Sequence, residues 1–499
     1  MIQLSFAQSR LWFLHRFEGP SATYNLPVEV RLEGVLDAGA LEAALRDVVV
    51  RHESLRTVFV EDEAGVAYQR VVPETELALV MSTREVSPDA EAAAASEAAG
   101  HRFDLSREIP VRAVLLRSGP RRHLLVLVMH HIAFDGESMG PLARDLSRAY
   151  RARCEGAAPV WDELPVQYTD YTLWQKDLLG DENDPESELA SQLAYWRQEL
   201  EGASQQLVLP TDRPRPPVPG HDGGVLRFAV DAVDRAGVQA LAQRTGTSEP
   251  MVLQAALAVL LGQLGGGEDV SIGSPIAGRD DEALADLVGF FVNTWVLRVD
   301  LSGNPTFEDV LGRVRDKALA AYDNQDAPFE RLVEILNPQR SRAYHPLFQV
   351  MFAWQDTSQV DVDLPGVTAT MEMVASGTAK FDLEFSFGAD PSGGGLLCTL
   401  EYATELFDRG SAVGFAERFV RVLRGVVGDP GVRVGAVDVL SAGERERLLV
   451  GVNDTAVGVP AVSLAGLVER RVEVSPDAVA VVCGGVSWSF REVNERANR

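Results

Sequence analysis

Residues 124–150 read LLVLVMHHIAFDGESMGPLARDLSRAY, and this stretch decides the fold class. Leu124 to Met129 is an unbroken apolar run, the pattern of a buried strand; a strand with one wet face would alternate. After it Met139, Leu142, Leu146 and Tyr150 recur at helical spacing, with Pro141 suited to a first turn and Ser138 to the N-cap. A buried strand feeding an amphipathic helix predicts an α/β (α+β) fold and puts His130 to Gly136 in the connecting loop.

The same mixture extends in both directions. Asp37 can cap a helix whose Leu41, Leu45, Val48 and His52 share one face, within a first block of about residues 1–180. Leu189, Leu193, Trp196 and Leu200 mark another helix, after which Leu209 to Gly224 holds five prolines and reads as a connector between two lobes. A second block, 181–440, is predicted to contain helices at Ser248–Leu264, Phe307–Tyr322 and Ala412–Val427. Its strands are expected at Val270–Gly273, Thr294–Leu301, Leu347–Trp354, Phe381–Phe387 and Leu396–Tyr402. A linker, 441–460, includes the Gly/Val/Pro connector Val457 to Pro460. Residues 461–499 then begin a helix, a strand and another helix with no partners to bury their apolar faces, and read as a truncated fragment of a further domain.

Composition excludes several functions. The 499 residues hold 46 Lys plus Arg against 73 Asp plus Glu, a net charge of −27 that repels a nucleic-acid backbone or an anionic membrane. Cys154, Cys398 and Cys483 lie far apart without CxxC spacing, so neither a disulfide framework nor a zinc ribbon is expected and a reducing cytoplasm fits best. The most apolar stretch, Met251 to Leu261, is about half a membrane span, and Arg10 and Arg16 interrupt the apolar start. Neither a signal peptide nor a transmembrane helix is predicted.

Adjacent His130 and His131, with Asp135 and Gly136 following, form the densest reactive cluster in a chain of eight histidines. Imidazole can take a proton near neutral pH, and strand residues point alternately, so one histidine can face a cleft while the other packs. A catalytic site, a metal site and a structural pair all remain open, although no further ligand at metal-binding spacing sits nearby. Asp135 could orient the loop through a distant cation, and Gly136 allows close backbone approach. A rival reading is the hydrolase elbow GxSxG at 136–140, with Ser138 as nucleophile; but the strand ends eight residues too early, and only His221 and His345 follow. A serine carrying phosphopantetheine would need a short helical bundle around it. As a simple helix cap, Ser138 would be worth about 1 kcal/mol.

His130 to Gly136 matches HHxxxDG, and five further stretches occur in order. SFAQSRLW at 5–12, RHESLRTVF at 51–59, YTDYTLW at 168–174, IGSPIAGR at 272–279 continuing to GFFVNT at 289–294, and HPLFQ at 345–349 complete the set. On these motifs, spread over about 350 residues, the chain resembles a condensation domain of nonribosomal peptide synthetases, within the chloramphenicol acetyltransferase-like superfamily. SPDAVA at 475–480, with Ser489-Phe490 and NERAN at 494–498, resembles the opening of an adenylation domain.

The resemblance implies two acetyltransferase-like lobes in a V around a central tunnel. Upstream donor and downstream acceptor peptidyl carrier proteins would deliver thioesters on 4′-phosphopantetheine, with an adenylation domain adjacent in cis. No permanently bound cofactor or metal, no nucleic acid and no membrane are expected. His131 is the residue expected to take or hold the proton of the attacking amine, His130 to pack, and the Gly136 N–H to serve as an oxyanion donor. Asp135 is expected to be structural, with Arg279 as its ion-pair partner and Arg56 or Arg10 as alternatives. Glu137, Ser138, Ser274, Asn293 and Gln349 are expected along the substrate channel. Glu137 departs from the tryptophan usual in the family, and Met129 takes the place of the third histidine of β-lactam-forming relatives. Local readings compete: Arg51 and Arg56 suit a helix C-terminus, Tyr168, Tyr171 and Trp174 suit packing, and Phe290 and Phe291 suit a core. Epimerisation of a carrier-bound residue, an inactive docking domain and a serine hydrolase are the alternative functions.

Overall fold

Strand Arg122–His130 is the middle strand of the first lobe's five-stranded sheet, and its environment explains the unbroken apolar run. The computed structural model describes residues 2–78, 81–336, 341, 343–355, 362–458 and 461–499. Leu125, Leu127 and Met129 enter one core with helices Ala38–Arg51 and Met139–Cys154. Leu124, Val126 and Val128 enter a second core, which includes helix Glu91–Ala99. Successive side chains leave a strand on opposite faces, so a strand covered on both sides is apolar throughout. Asn25–Gly34 and Val111–Gly119 flank it, both antiparallel. Asp37 caps Ala38–Arg51 by accepting the Ala40 N–H at 2.9 Å.

The second lobe is built on a six-stranded sheet in the order Asn293–Asp300, Asp269–Ile276, Val350–Gln355, Leu383–Ala389, Leu396–Ala403 and Gly223–Val230. Leu383, Phe385, Phe387, Leu396, Cys398 and Leu400 bury one face in a core shared with helices Glu249–Leu261 and Arg409–Gly428. The alternate residues Glu384, Ser386, Thr399 and Glu401 occupy the other face, half-buried.

Two features differ from the sequence reading. Helix Glu188–Glu199 already buries Leu189, Leu193 and Trp196 in the second lobe's core, so the proline-rich run does not bridge the lobes. It lies along the second lobe instead, where the Asp212 N–H donates to Leu406 O and Arg215 pairs with Asp382. Prolines hold such a segment extended and ask for no backbone partners, which suits a strap over a formed surface. The other feature is a crossing strand: Val367–Met373 pairs antiparallel with Asn25–Gly34 and completes the first lobe's sheet. Backbones approach closely there, and a Cβ on Gly34 would lie 2.2 Å from the Gly366 carbonyl oxygen.

The chain divides into Met1–Val439 and Leu440–Arg499. The second unit holds helices Ala442–Leu449, Leu464–Val474 and Phe490–Ala497 and the hairpin of Val479–Cys483 with Val486–Ser489. Its Leu464, Val474, Val482 and Val486 are exposed. Residues 459–460 of the expected connector lie outside the described residues. Among the described residues no helix is long and apolar enough to cross a membrane.

Candidate active site

The two histidines sit where the central strand ends and a short 3-10 turn, His131–Ala133, begins. His130 is 5% exposed, and its Nδ1 accepts the Ile132 N–H at 3.1 Å. The rings of Tyr24 and Phe103 flank it at 6.4 and 6.1 Å. Burial lowers its pKa to about 3, so it is neutral and packed.

His131 is only partly exposed. Its N–H donates to the Tyr24 carbonyl at 2.8 Å, and its ring packs on Phe290 with centroids 4.7 Å apart. Nδ1 is buried without an aligned partner, which leaves Nε2 as the ring nitrogen available to a reactant. Burial, and then the positive charge of Lys380, hold its pKa well below the usual imidazole range. A neutral imidazole at pH 7 is what a proton acceptor or a hydrogen-bonding guide for an amine requires.

Asp135 organises the loop from beneath. It is fully buried, and Arg279 of the second lobe, 8% exposed in its side chain, donates to its Oδ1 at 3.0 Å. Oδ1 also accepts the Ser138 N–H at 3.0 Å, and Oδ2 accepts the Phe291 N–H at 3.0 Å. The Arg279 guanidinium stacks over Phe291 at 4.2 Å and donates to the carbonyls of Leu284 and Leu287. A buried carboxylate with every donor supplied from around it is a structural anchor. Gly136 and Glu137 stand exposed beside it, with open space where a Gly136 Cβ would project.

Ser138 corrects the helix-cap expectation. It forms no side-chain cap, since Asp135 holds the turn, and its hydroxyl reaches the second lobe. Oγ lies 2.8 Å from Asp135 Oδ1 and 3.1 Å from Gly289 O, and accepts from Arg279 at 2.8 Å and from the Gly289 N–H at 3.1 Å. A buried hydroxyl spanning two lobes contributes more than an exposed cap. Ser138→Ala is therefore expected to cost about 1–3 kcal/mol, read as a lower urea midpoint at unchanged m-value. The wild-type protein is expected to resist fluorophosphonate labelling; labelling at Ser138 with loss of activity would restore the hydrolase reading.

Other expected residues are engaged elsewhere. Arg56 donates to the carbonyls of Val50 and Val72, and Arg10 bonds His345 Nε2 at 2.9 Å, so neither partners Asp135. Ser274 Oγ donates to Phe352 O, and Asn293 Nδ2 donates to the carbonyls of Gln325 and Ala327. Gln349 bridges His345 O, Gln205 O and the Leu207 N–H. These three side chains spend their polar groups largely on backbone of the second lobe, and Ser274 Oγ also accepts from Gln254 Nε2 at 3.1 Å. Among the described residues no three His, Cys, Asp or Glu side chains gather as for a metal ion.

Sequence reasoning missed the strap that fixes the site. The loop Val288–Phe291 is held by His52 Nδ1, which accepts the Val288 N–H at 3.3 Å, and by Ser54 Oγ, which donates to Val288 O at 2.6 Å. Tyr168 OH donates to Phe290 O at 2.6 Å, and His52 itself is bonded to buried Asp145 at 2.8 Å. The signal lay in RHES and YTDY, where His52, Ser54 and Tyr168 reach the second lobe's loop while Arg51 and Asp170 serve the first lobe.

Fold and site together define a two-lobed domain of chloramphenicol acetyltransferase-like architecture. A family model described as the condensation domain matches residues 1–449. The chain belongs to this family, and the relatives it matches are nonribosomal peptide synthetases. It is 54% identical over 499 residues to a probable non-canonical nonribosomal peptide synthetase, CymA, of Salinispora arenicola, covering 100% of this chain and 6% of that protein. It is 47% identical over 502 residues to a dimodular nonribosomal peptide synthase of Bacillus subtilis, covering 100% of this chain and 21% of that one. The chain thus spans a small part of these relatives. The X-domain from teicoplanin biosynthesis superposes with a TM-score of 0.82 at 34% identity, covering 88% of this chain and 97% of that structure. The four-domain synthetase holo-AB3403, bound to AMP and glycine, superposes at 0.85 with 21% identity, covering 99% of this chain and 38% of that structure.

Proposed function

We propose that this domain is an acyltransferase that forms an amide bond between two carrier-bound thioesters. The α-amine of an acceptor aminoacyl thioester attacks the donor acyl or peptidyl thioester, and the donor thiolate leaves. The observation that carries this reading is a neutral, partly exposed His131 held beside the exposed Gly136 on a loop anchored through Asp135 and Arg279. His131 takes or guides the amine proton, His130 packs beneath, and the Gly136 N–H is offered to the developing oxyanion. Glu137 stands at the mouth and biases the choice of acceptor. Substrates arrive on 4′-phosphopantetheine of an upstream donor and a downstream acceptor carrier, in the cytoplasm. Residues 461–499 are the opening of an adenylation domain in cis.

Mass spectrometry of products from donor-loaded and acceptor-loaded carriers tests this: a condensed product on the acceptor carrier supports it. Inverted configuration on one carrier would indicate epimerisation, and no change would indicate docking.

The pH dependence follows from the charge states. Burial holds His131 well below the usual imidazole range, so it is neutral where the amine titrates, whereas an α-amine has a pKa of about 7.7–8.0 and attacks only when deprotonated. Single-turnover transfer is expected to rise with pH through the amine's range and level off above it, with no break near 6.5. A limb near 6.5 that His131→Gln removes would contradict a neutral His131.

A further inference from the structure

The second lobe brings a lysine to the histidine loop. Lys380 is anchored by the bridge between Asp222 and Thr378 and by the Ala379 N–H, which donates to His221 O at 2.8 Å. Its Nζ lies 5.7 Å from the centroid of the Tyr24 ring, and Tyr24 is the residue whose carbonyl receives the His131 N–H. The side chain is half-buried, and among the described residues its ammonium makes no hydrogen bond or direct ion pair. Its charge is felt by His130 and His131 on one side and by Glu384 and Glu401 on the other. Those two carboxyls face each other on adjacent strands. Burial and the charge of Glu384 push Glu401 up to about 8, and burial raises Glu384 as well. An ammonium drawn partly out of water against the face of Tyr24, with no hydrogen-bond or ion-pair partner among the described residues, has lost hydration and gained only a cation–π contact.

We propose that Lys380 is a further catalytic group of this site: its ammonium receives the carbonyl oxygen of the donor thioester, near His131, and stabilises the negative charge that develops there. The inference rests on the amide-forming reading above. In the step it serves, the amine lone pair forms the C–N bond and the carbonyl π pair moves onto the oxygen beside Lys380. The nitrogen gives its proton to His131 or to solvent. When the oxygen pair re-forms the carbonyl, the C–S pair leaves with the phosphopantetheine sulfur, which takes up a proton; Lys380 stays an ammonium throughout. A neutral carbonyl gains little from the cation and an oxyanion much, so the effect belongs to the transition state.

The test uses two pantetheine probes, a phosphonate analogue of the tetrahedral adduct and the neutral amide product, titrated by calorimetry into wild type, Lys380→Met, Lys380→Gln and Lys380→Arg. The neutral substitutions are expected to weaken phosphonate binding by about tenfold or more and leave amide binding unchanged, with Lys380→Arg keeping most of the affinity. Single-turnover transfer between loaded carriers is expected to fall about 10²-fold in Lys380→Met. Equal phosphonate affinity in wild type and in whichever neutral variant folds overturns the proposal. If wild type makes no condensed product, the amide-forming reading fails, and the phosphonate titration still decides whether Lys380 receives an anion.

Discussion

Asp135→Ala is expected to destabilise the domain by about 3–5 kcal/mol, and Arg279→Ala by a similar amount, while the double variant loses much less than their sum. Both groups are buried, at 0% and 8% side-chain exposure, so removing either strands the other charge away from water. Asp135 also accepts the N–H groups of Ser138 and Phe291, and its loss orphans the Phe291 N–H and leaves the Ser138 N–H only the Asp135 carbonyl at 3.2 Å. A catalytic acid or base would behave otherwise: its removal would spare the melting temperature, and losing Arg279 as well would relieve nothing. A double-mutant cycle on denaturant midpoints decides, and additive losses would refute the bridge. Transfer activity is expected to fall with stability in both single variants, because the carboxylate fixes the loop that carries His131.

His131→Ala is expected to lower single-turnover transfer by about 10²–10⁴-fold while leaving the melting temperature close to wild type. The ring is partly exposed, its Nδ1 has no aligned partner to lose, and its main packing contact is the Phe290 ring, so the fold depends little on it. His130→Ala is expected to do the reverse first, reducing soluble yield, because it empties a buried site and removes the acceptor of the Ile132 N–H. Near-normal transfer by folded His131→Ala would exclude both a proton-accepting and a positioning role, and would shift attention to Gly136 and Lys380.

Much of this site could be read from local pattern. The apolar run 124–129 had to be a strand covered on both faces, and the spacing from Met139 to Tyr150 had to be a helix. HHxxxDG therefore had to sit in a loop at a strand end, with one histidine turned inward. Such features depend on periodicity and on residues a few positions apart, which a sequence carries directly. The family followed from six ordered motifs, and the pairing of Asp135 with Arg279 followed from that resemblance rather than from any local signal.

What only the tertiary structure decided is where polar side chains spend their hydrogen bonds. Ser138 has the same composition whether it caps its own helix or bonds Gly289 across 151 residues, and local pattern favours the cap. Asn293, Gln349 and Ser274 look like channel residues in a motif, yet each is consumed by backbone carbonyls brought from other segments. The pairing of Val367–Met373 with Asn25–Gly34 and the approach of Lys380 to Tyr24 arise in the same way. Hydrophobic period dictates that a residue is buried, but the identity of a distant partner is set only when chain closure brings the two lobes together and every buried polar group must find one.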